Sequence, residues 1–246
     1  MEIIRCPNQY RARARVVDSL NSKDMIILQG SYSSGKTTIV NLLVPFLRRN
    51  GYVTVLIHAT QYSFHGSLQS VVVNALGLPQ WVRTASLKVM YSVISDLVAC
   101  GKTLLLVVDD FDTLLSGPLS NNLRICHSIC ALAQHSGKMK ILATVYRLDL
   151  VVDSIKHLPG AKNYSISSID IWRFDQDFER FVYKLARSYR IQPYQISSQS
   201  FMCKLYERSN GSTGVVINIF KVLANSKALV GGRVATGDTL SNIWRY

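Results

Sequence analysis

One stretch of nine residues, GSYSSGKTT at positions 30–38, constrains the possible folds more than any other part of the chain. It follows directly on the apolar run Met25–Leu28 and precedes a helical pattern of apolar residues that begins at Ile39. Its glycines, lysine and threonine fit the spacing G-x-x-x-x-G-K-T, which joins a strand to a helix in nucleotide-binding domains. Because both flanks are those that the motif requires, we interpret the stretch as a phosphate-binding P-loop rather than a chance glycine turn.

The residue types in this loop define its chemistry. Gly30 and Gly35 let the backbone curl so that N–H groups point inward, and the following helix adds the positive end of its dipole. Lys36 is expected to neutralise the β- and γ-phosphates of ATP, and the Thr37 hydroxyl to bind Mg²⁺. The predicted nucleotide-binding residues are Gly30, Ser31, Ser33, Ser34, Gly35, Lys36, Thr37 and Thr38.

Two aspartates follow the most apolar strand pattern of the sequence. The run 103–108 suits the centre of a parallel sheet, where ligands bind at the carboxyl ends of the strands. We expect Asp109 to hold Mg²⁺ through its water shell and Asp110 to orient the attacking water. Glu is common at the second position; Asp is one methylene shorter, which favours slow hydrolysis, since a displacement of about 1 Å costs on the order of 10²-fold. The alternative is an acidic strand end without a ligand.

A threonine follows the fourth predicted strand, which spans residues 140–143. At the carboxyl end of that strand, the Thr144 hydroxyl is placed to act as a sensor of the γ-phosphate or of the attacking water. The alternative is that Thr144 caps the helix expected to begin near Leu148. The sequence leaves both interpretations open.

The order of the patterns predicts an α/β fold. It consists of a P-loop core with a parallel five-stranded sheet flanked by helices, followed by a small all-helical lid. We divide the chain into a basic helix and linker (1–24), the nucleotide-binding core (25–171) and the lid (172–246). The predicted strands are 25–28, 53–58, 103–108, 140–143 and 164–169, and the helices besides that of the P-loop are 10–20, 67–76, 86–100 and 119–135. In the lid, inward-facing side chains are expected at Phe178, Phe181, Val182, Leu185, Phe201, Met202, Leu205, Val215, Ile219, Val222 and Leu223.

The chain carries a large positive charge. Twenty-eight Lys and Arg against 15 Asp and Glu give a net charge of +13, which favours nucleic acid as a partner over a basic but inert surface. Trp81 is expected either in the core or, with nearby cations, against a DNA backbone. The candidate DNA-binding residues are Arg11, Arg13, Arg15, Arg83 and Lys88.

Several classes of protein are disfavoured. The longest apolar run, Leu104–Val108, is far too short to cross a bilayer, and the amino terminus has no apolar segment of signal-peptide length. The five cysteines are scattered and odd in number, which is typical of reduced structural thiols rather than of disulfides or a metal site. We therefore expect a cytoplasmic protein without membrane contact.

Three segments carry a family resemblance: VVDDFDTLL, ATVYRLDLVVDSI and NGSTGVVINIFKVLANSKALVGGRVATGDTLSNI. With the P-loop, they make residues 25–243 resemble the AAA+ ATPases of DNA transposition, the TniB and TnsC group, with MuB and ExeA-type ATPases as more distant relatives. The resemblance implies an ATP-dependent regulator that forms a homo-oligomer, a ring or a filament, on double-stranded DNA. It also implies a transposase and a target-selection protein as partners.

The chain departs from that family at two places. Many relatives carry an arginine between positions 155 and 164 that reaches a neighbouring subunit's nucleotide, whereas this segment offers only Lys156 and Lys162, which lack the planar fork. Relatives also carry an arginine after the glycine turn of the lid, where this chain has Val215 and Val216, with Arg208 just before the turn. These differences favour nucleotide binding as a switch for assembly over rapid hydrolysis.

Two alternative functions are compatible with the same motifs. VVDDFDTLL and YRLD also suit the replication-initiation ATPases of the origin-recognition and Cdc6 type, although these are expected to carry a winged-helix domain after the lid. The second alternative is a non-hydrolysing, nucleotide-dependent module that binds only other proteins. The net charge of +13 disfavours that second alternative.

Overall fold

The computed structural model describes residues 6–59, 73–74, 76–79, 81, 89, 92, 95–96, 99–100, 103–115, 126, 139–156, 163–226 and 233–243. The chain divides into two compact units. The first, called the sheet unit, consists of Ala12–Gly30 and Lys36–Ser168. The second, called the helical unit, consists of Met1–Arg11, Ser31–Gly35 and Ile169–Tyr246. Each unit has its own apolar core.

The sheet unit contains five parallel strands in the order β2-β3-β4-β1-β5. The predicted fold class is therefore confirmed, with strand ends that differ by one or two residues from the predicted ones. The strands are β1 (Met25–Gln29), β2 (Tyr52–His58), β3 (Thr103–Asp109), β4 (Met139–Val145) and β5 (Tyr164–Ser168).

The apolar runs form central strands because both faces of the sheet are covered. On β3, Leu104, Leu106 and Val108 belong to one core cluster, while Leu105 and Val107, which point the opposite way, are also fully buried. A strand that is buried on both faces needs a continuous apolar sequence rather than an alternating one. The pattern of residues 103–108 thus fixes β3 near the middle of the sheet.

The register of the sheet brings polar side chains together at its carboxyl edge. Ile57, Val108 and Ala143 lie in one row across three neighbouring strands. One residue further along, His58 is paired with Asp109. The apolar rows end here, and the side chains that follow are the polar ones of the candidate site.

Helices of the sheet unit pack their apolar stripes against the strands. The described helices here are α2 (Lys36–Arg49), α3 (Phe111–Leu114) and α4 (Leu148–Lys156), and most of α1 (Pro7–Leu20) also belongs to this unit. In α2, Ile39, Leu43 and Leu47 recur at helical spacing and are buried. Pro45 lies inside α2 on an exposed position, so the helix loses one backbone hydrogen bond there without breaking.

Helices follow the sheet in sequence, as predicted, but the described residues contain four of them, one more than the three helical patterns around residues 178–185, 201–205 and 215–223. They are α5 (Gln176–Ser188), α6 (Gln199–Ser209), α7 (Thr213–Asn225) and α8 (Gly237–Ile243), with a short 3₁₀ turn at Pro193–Ile196. Asp175 and Ser198 cap α5 and α6 by accepting hydrogen bonds from backbone N–H groups three residues later. Trp172 stacks on Phe181 with ring centroids 4.8 Å apart in the core of this unit.

The orientation of α7 differs from the prediction at two positions. Val222 is exposed and Val215 is only partly buried, whereas Val216 and Phe220 join Ile219 and Leu223 in the core. The buried set follows the i, i+3, i+4, i+7 pattern of one helix face. Because α7 is apolar on more than one face, its sequence alone does not fix which stripe points inward.

The predicted helices 67–76, 86–100 and 119–135 fall mostly outside the described residues. Among the residues that are described, no helix is long and apolar enough to cross a membrane.

Candidate nucleotide site

Asp109 is the centre of a hydrogen-bond cluster at the carboxyl edge of the sheet. It is the last residue of β3 and is only 2% exposed. The Thr37 hydroxyl donates to its Oδ2 at 2.9 Å, and the Thr144 hydroxyl donates to its Oδ1 at 2.6 Å. A buried carboxylate is stable only when its oxygens are hydrogen-bonded, and both oxygens of this one have a donor.

Thr144 connects the two aspartates. Its side chain lies within β4 and is fully buried, and its hydroxyl oxygen also accepts the backbone N–H of Asp110 at 2.9 Å. The hydroxyl therefore fixes both the carboxylate of Asp109 and the backbone of the next residue. The interpretation of Thr144 as a helix cap is wrong, because its hydroxyl points to β3 and not to the start of α4.

Asp112 makes the contact at the start of α4 instead. Its Oδ2 accepts backbone N–H groups from Tyr146 at 3.1 Å and Arg147 at 2.9 Å. These two residues immediately precede α4, so one carboxylate ties the turn after β3 to the turn after β4. Asp112 stands in the VVDDFDTLL segment but was not among the predicted site residues.

Asp110 adopts a left-handed backbone conformation, with φ 55° and ψ 48°. This region is costly for most residues but is tolerated better by Asp and Asn. Burial and the neighbouring Asp109 charge raise the pKa of the Asp110 carboxyl, while Lys36 opposes this. The residue as a whole is exposed, so this burial affects only part of the carboxyl group.

Lys36 is a buried cation at the start of α2. It is 8% exposed, and its ammonium group donates to the carbonyl of Gly30 at 2.9 Å. Burial lowers the pKa of Lys36, while the charges of Asp110, Asp112 and Asp109 raise it. The three carboxylates thus offset part of the cost of holding the charged form in this position.

His58 belongs to the same cluster and was missed in the sequence. It is the last residue of β2, and its Nδ1 lies 3.5 Å from Asp109 Oδ2. A single histidine has no recognisable spacing in the sequence. The available signal was its position at the carboxyl end of a parallel strand, where polar side chains converge.

The loop segment Ser31–Gly35 has the strained backbone of a tight phosphate loop. Ser33 has φ 58° and Gly35 has φ 96°, both in the left-handed region. A Cβ at Gly35 would meet the end of the flexible Gln9 side chain, which would have to move, and the positive φ itself disfavours any other residue here. The Ser34 hydroxyl is buried without a hydrogen-bond partner, which leaves a polar group available for a ligand.

These residues fit a Mg²⁺–nucleotide. Within the sheet unit, a buried lysine and a threonine hydroxyl beside a buried carboxylate are a donor and ligands for phosphate and for a hard cation. Gly30 and Thr38 flank these groups, the first after β1 and the second in the first turn of α2. The structure thus brings Thr37, Asp109 and Thr144 together, as the strand order of the motifs indicates.

The candidate DNA contacts are only partly described. Arg11 donates to Asn8 Oδ1 at 2.6 Å, the Arg13 guanidinium lies 4.8 Å from the centroid of the Phe46 ring, and Arg15 donates to the carbonyl of Ser168. These contacts hold the three arginines on the surface of α1. Trp81 is 61% exposed, so its interpretation as a core residue is wrong. The other two candidate DNA contacts, Arg83 and Lys88, lie outside the described residues. Of the two lysines that stand where relatives carry an arginine, Lys162 also lies outside them, and Lys156 pairs with Asp153 on the surface.

Comparison with solved structures identifies the fold. ORC2 of Aeropyrum pernix, solved as ADPNP–ADP complexes, matches 99% of this chain and 68% of its own, with 15% identity and a TM-score of 0.59. ORC1 of Aeropyrum pernix, solved with DNA, matches 98% of this chain and 65% of its own, with 14% identity and a TM-score of 0.65. Cdc6p of Pyrobaculum aerophilum matches 94% and 65%, with 15% identity and a TM-score of 0.63. The chain thus shares its fold with these structures and spans about two thirds of their length.

Sequence comparison adds no closer assignment. No protein-family model matches the chain, and no curated protein matches it in sequence.

Proposed function

We propose that this protein is an ATP-dependent, DNA-associated AAA+ switch of the replication-initiator type, in which nucleotide binding controls assembly on duplex DNA. The observation that carries the proposal is the cluster in which Thr37 and Thr144 donate to the two oxygens of buried Asp109. A strand-end carboxylate bonded to the P-loop threonine is the arrangement that a Mg²⁺–ATP site requires. The fold and the positive charge of the chain support the step from a nucleotide site to a DNA-associated switch.

Each residue of the cluster has a separate role in this proposal. Lys36 would neutralise the β- and γ-phosphates, and Thr37 with Asp109 would hold Mg²⁺, an ion that offsets the negative charge of phosphates. Asp110 would accept a hydrogen bond from the attacking water and orient it. Thr144 keeps Asp109 and the Asp110 backbone in place.

Hydrolysis is proposed to be slow. The Asp110 side chain is one methylene shorter than that of the glutamate that is common at this position. Its raised pKa makes the ionised carboxylate a stronger proton acceptor, but only the ionised form can accept a proton. The protein then stays in its nucleotide-bound state for long periods. Such behaviour suits a switch for assembly better than a motor.

Duplex DNA is the proposed partner because of the charge and the structural neighbours. A net charge of +13 exceeds what a nucleotide site needs, and the Aeropyrum ORC1 structure is a complex with DNA. These neighbours favour the replication-initiation alternative over transposition, for which the support is the motif resemblance alone. We propose that the protein forms a homo-oligomer on DNA. A transposase and a target-selection protein would be partners only if the transposition alternative holds.

Fluorescence anisotropy with a labelled duplex of random sequence tests this proposal. The wild type is expected to bind the duplex in the presence of Mg²⁺ and a non-hydrolysable ATP analogue, and at least tenfold more weakly without nucleotide. Lys36→Ala should lose this nucleotide effect, while Lys184→Ala, which removes an exposed lysine on α5, should keep it. Equal DNA affinity with and without nucleotide would contradict the switch.

A salt titration of the same complexes tests the arginines of α1. Alanine at Arg11, Arg13 and Arg15 should lower the slope of log K against log salt by about 0.9 for each phosphate contact that is lost. An unchanged slope would show that these arginines serve only the internal contacts described above. Electron microscopy of the same samples then distinguishes rings or filaments on DNA from isolated particles.

A further inference from the structure

Three consecutive carbonyl groups of the phosphate loop accept hydrogen bonds from other parts of the helical unit. The Ser212 hydroxyl donates to the carbonyl of Tyr32 at 3.2 Å. The backbone N–H of Gly214 donates to the carbonyl of Ser33 at 2.7 Å. The Gln9 side chain donates through Nε2 to the carbonyl of Ser34 at 3.3 Å. None of the three donors lies in the P-loop sequence GSYSSGKTT.

These bonds determine the direction of the loop N–H groups. In a planar trans peptide, the N–H of one residue points opposite to the carbonyl of the preceding residue. Holding the carbonyls of residues 32–34 therefore turns the N–H groups of residues 33–35 to the other side of the loop. The Ser34 N–H donates to the carbonyl of Ser31 at 3.1 Å and so fixes the segment from within, which means that the N–H groups assigned to a ligand are those of Ser33 and Gly35. A concavity of backbone N–H groups is the structure that binds phosphate oxygens.

Gly214 is essential to this arrangement because its backbone lies very close to the loop. A Cβ at position 214 would lie 2.3 Å from the carbonyl oxygen of Ser33 and 2.8 Å from its Cβ. Both are distances at which the loop has to shift. Ser33 itself holds φ 58°, a strained conformation for serine, and the bond from Gly214 helps to retain it.

The same bond satisfies the start of α7. Gly214 is the second residue of that helix, so its N–H is one of the first four that have no acceptor within the helix. The Ser33 carbonyl supplies the acceptor. The beginning of α7 and the conformation of the loop therefore stabilise each other.

We infer that Gln9, Ser212 and Gly214 are positioning residues of the nucleotide site. They hold the phosphate loop in its binding conformation from the side opposite to the phosphates, and through them nucleotide binding stabilises α1 and α7. This inference rests on the proposed nucleotide-binding function. By thermodynamic linkage, the free energy that these contacts add to nucleotide binding equals the free energy by which bound nucleotide stabilises the contacts.

Equilibrium binding of ADP to five variants tests the inference. Gly214→Ala should weaken ADP binding at least tenfold, because the loop must move to admit the Cβ. Gly237→Ala is the matched control, since a Cβ there, also at the start of a helix of this unit, meets nothing closer than 3.2 Å. Ser212→Ala and Gln9→Met remove one donor each with little change in shape and should weaken binding severalfold. Ser212→Thr keeps the hydroxyl and should restore wild-type affinity.

The hydrogen-exchange rate of the Gly214 amide should depend on ADP only if these contacts are coupled to nucleotide binding, and not if their role is purely structural. Saturation with ADP should slow its exchange at least tenfold in the wild type, and less in Gln9→Met. Wild-type ADP affinity in both Gly214→Ala and Ser212→Ala, with ADP-independent exchange at Gly214, would overturn the inference while leaving the nucleotide site intact. Failure of the wild type to bind ADP would overturn the proposed function and this inference with it.

Discussion

Replacing Thr144 by valine tests how the acidic edge of the sheet is held together. The two side chains have nearly the same shape, and Thr144 is fully buried, so the substitution removes the hydroxyl without opening a cavity. It eliminates the 2.6 Å bond to Asp109 Oδ1 and the 2.9 Å bond from the backbone N–H of Asp110. The first is a hydrogen bond to a charged group and the second a neutral one.

The expected loss follows from these two bonds. A hydrogen bond to a buried carboxylate contributes about 1.5–3 kcal/mol, and a neutral one about 1 kcal/mol. Thr144→Val should therefore lower the free energy of unfolding by roughly 2–4 kcal/mol. At about 2–4 °C per kcal/mol for a chain of this size, the melting temperature should fall by roughly 4–16 °C.

Thr144→Ser is the matched control, because it keeps the hydroxyl and loses one methyl group, which costs about 1 kcal/mol. Thermal and urea unfolding of the two variants, followed by circular dichroism, should place the valine variant clearly below the serine variant. The valine variant should also lose affinity for ATP mainly when Mg²⁺ is present, because Asp109 is no longer oriented. Equal stability of the two variants would refute the assignment of both hydrogen bonds.

Three further predictions concern other parts of the molecule. The raised pKa of Asp110 means that its contribution to stability is present below its ordinary value of 3.8 and is lost as the pH rises through the folded-state pKa. Asp110→Asn, which also suits the left-handed backbone, should therefore raise the melting temperature at pH 7, and this gain should shrink towards pH 4. The same variant should reduce ATP hydrolysis. A lower melting temperature at pH 7 would contradict the prediction. Burial raises the pKa of Cys6 to about 11, so iodoacetamide at pH 8 should modify exposed Cys100 first, as read by peptide mass spectrometry, and earlier labelling of Cys6 would be inconsistent with its buried position. Trp172→Phe removes the buried 3.1 Å bond from Nε1 to Thr213 Oγ1 and should cost about 1–2 kcal/mol in urea unfolding, and Thr213→Val added to it should cost little more; full additivity would argue against the bond.

Much of the sheet unit could be predicted because its sequence carries strong patterns. The apolar run 103–108 has the continuous form of a strand buried on both faces, and GSYSSGKTT fixes the succession of β1, loop and α2. The carboxyl ends of parallel strands meet at one edge, so the proximity of Thr37, Asp109 and Thr144 followed from the strand assignments. The strand ends shifted by one or two residues because hydrogen bonds, not apolar side chains, determine where a strand stops.

The polar contacts around this edge could not be predicted. His58 and Asp112 carry no spacing signal, and their contacts, with Asp109 for His58 and with the turn before α4 for Asp112, are made only by the strand register and by a turn. The two interpretations of Thr144 were equal in the sequence because a threonine before a helix and a threonine at a strand end look alike. The direction of its hydroxyl decided between them.

The contacts of the phosphate loop illustrate long-range placement. Gln9 lies 25 residues before Ser34, and Ser212 lies 180 residues after Tyr32. No local pattern links such positions. Val222 shows a related limit, because a helix with two apolar stripes can be turned either way until its partners are known.

The central claim is that Lys36, Thr37 and Asp109 hold a Mg²⁺–nucleotide, and isothermal titration calorimetry with ATP tests it most directly. The wild type and Lys184→Ala should bind ATP with equal affinity, and Mg²⁺ should strengthen that binding. Lys36→Ala should bind ATP at least tenfold more weakly, and Asp109→Asn should lose the Mg²⁺ dependence. ATP binding that is unchanged in Lys36→Ala, or absent from the wild type, would contradict the account.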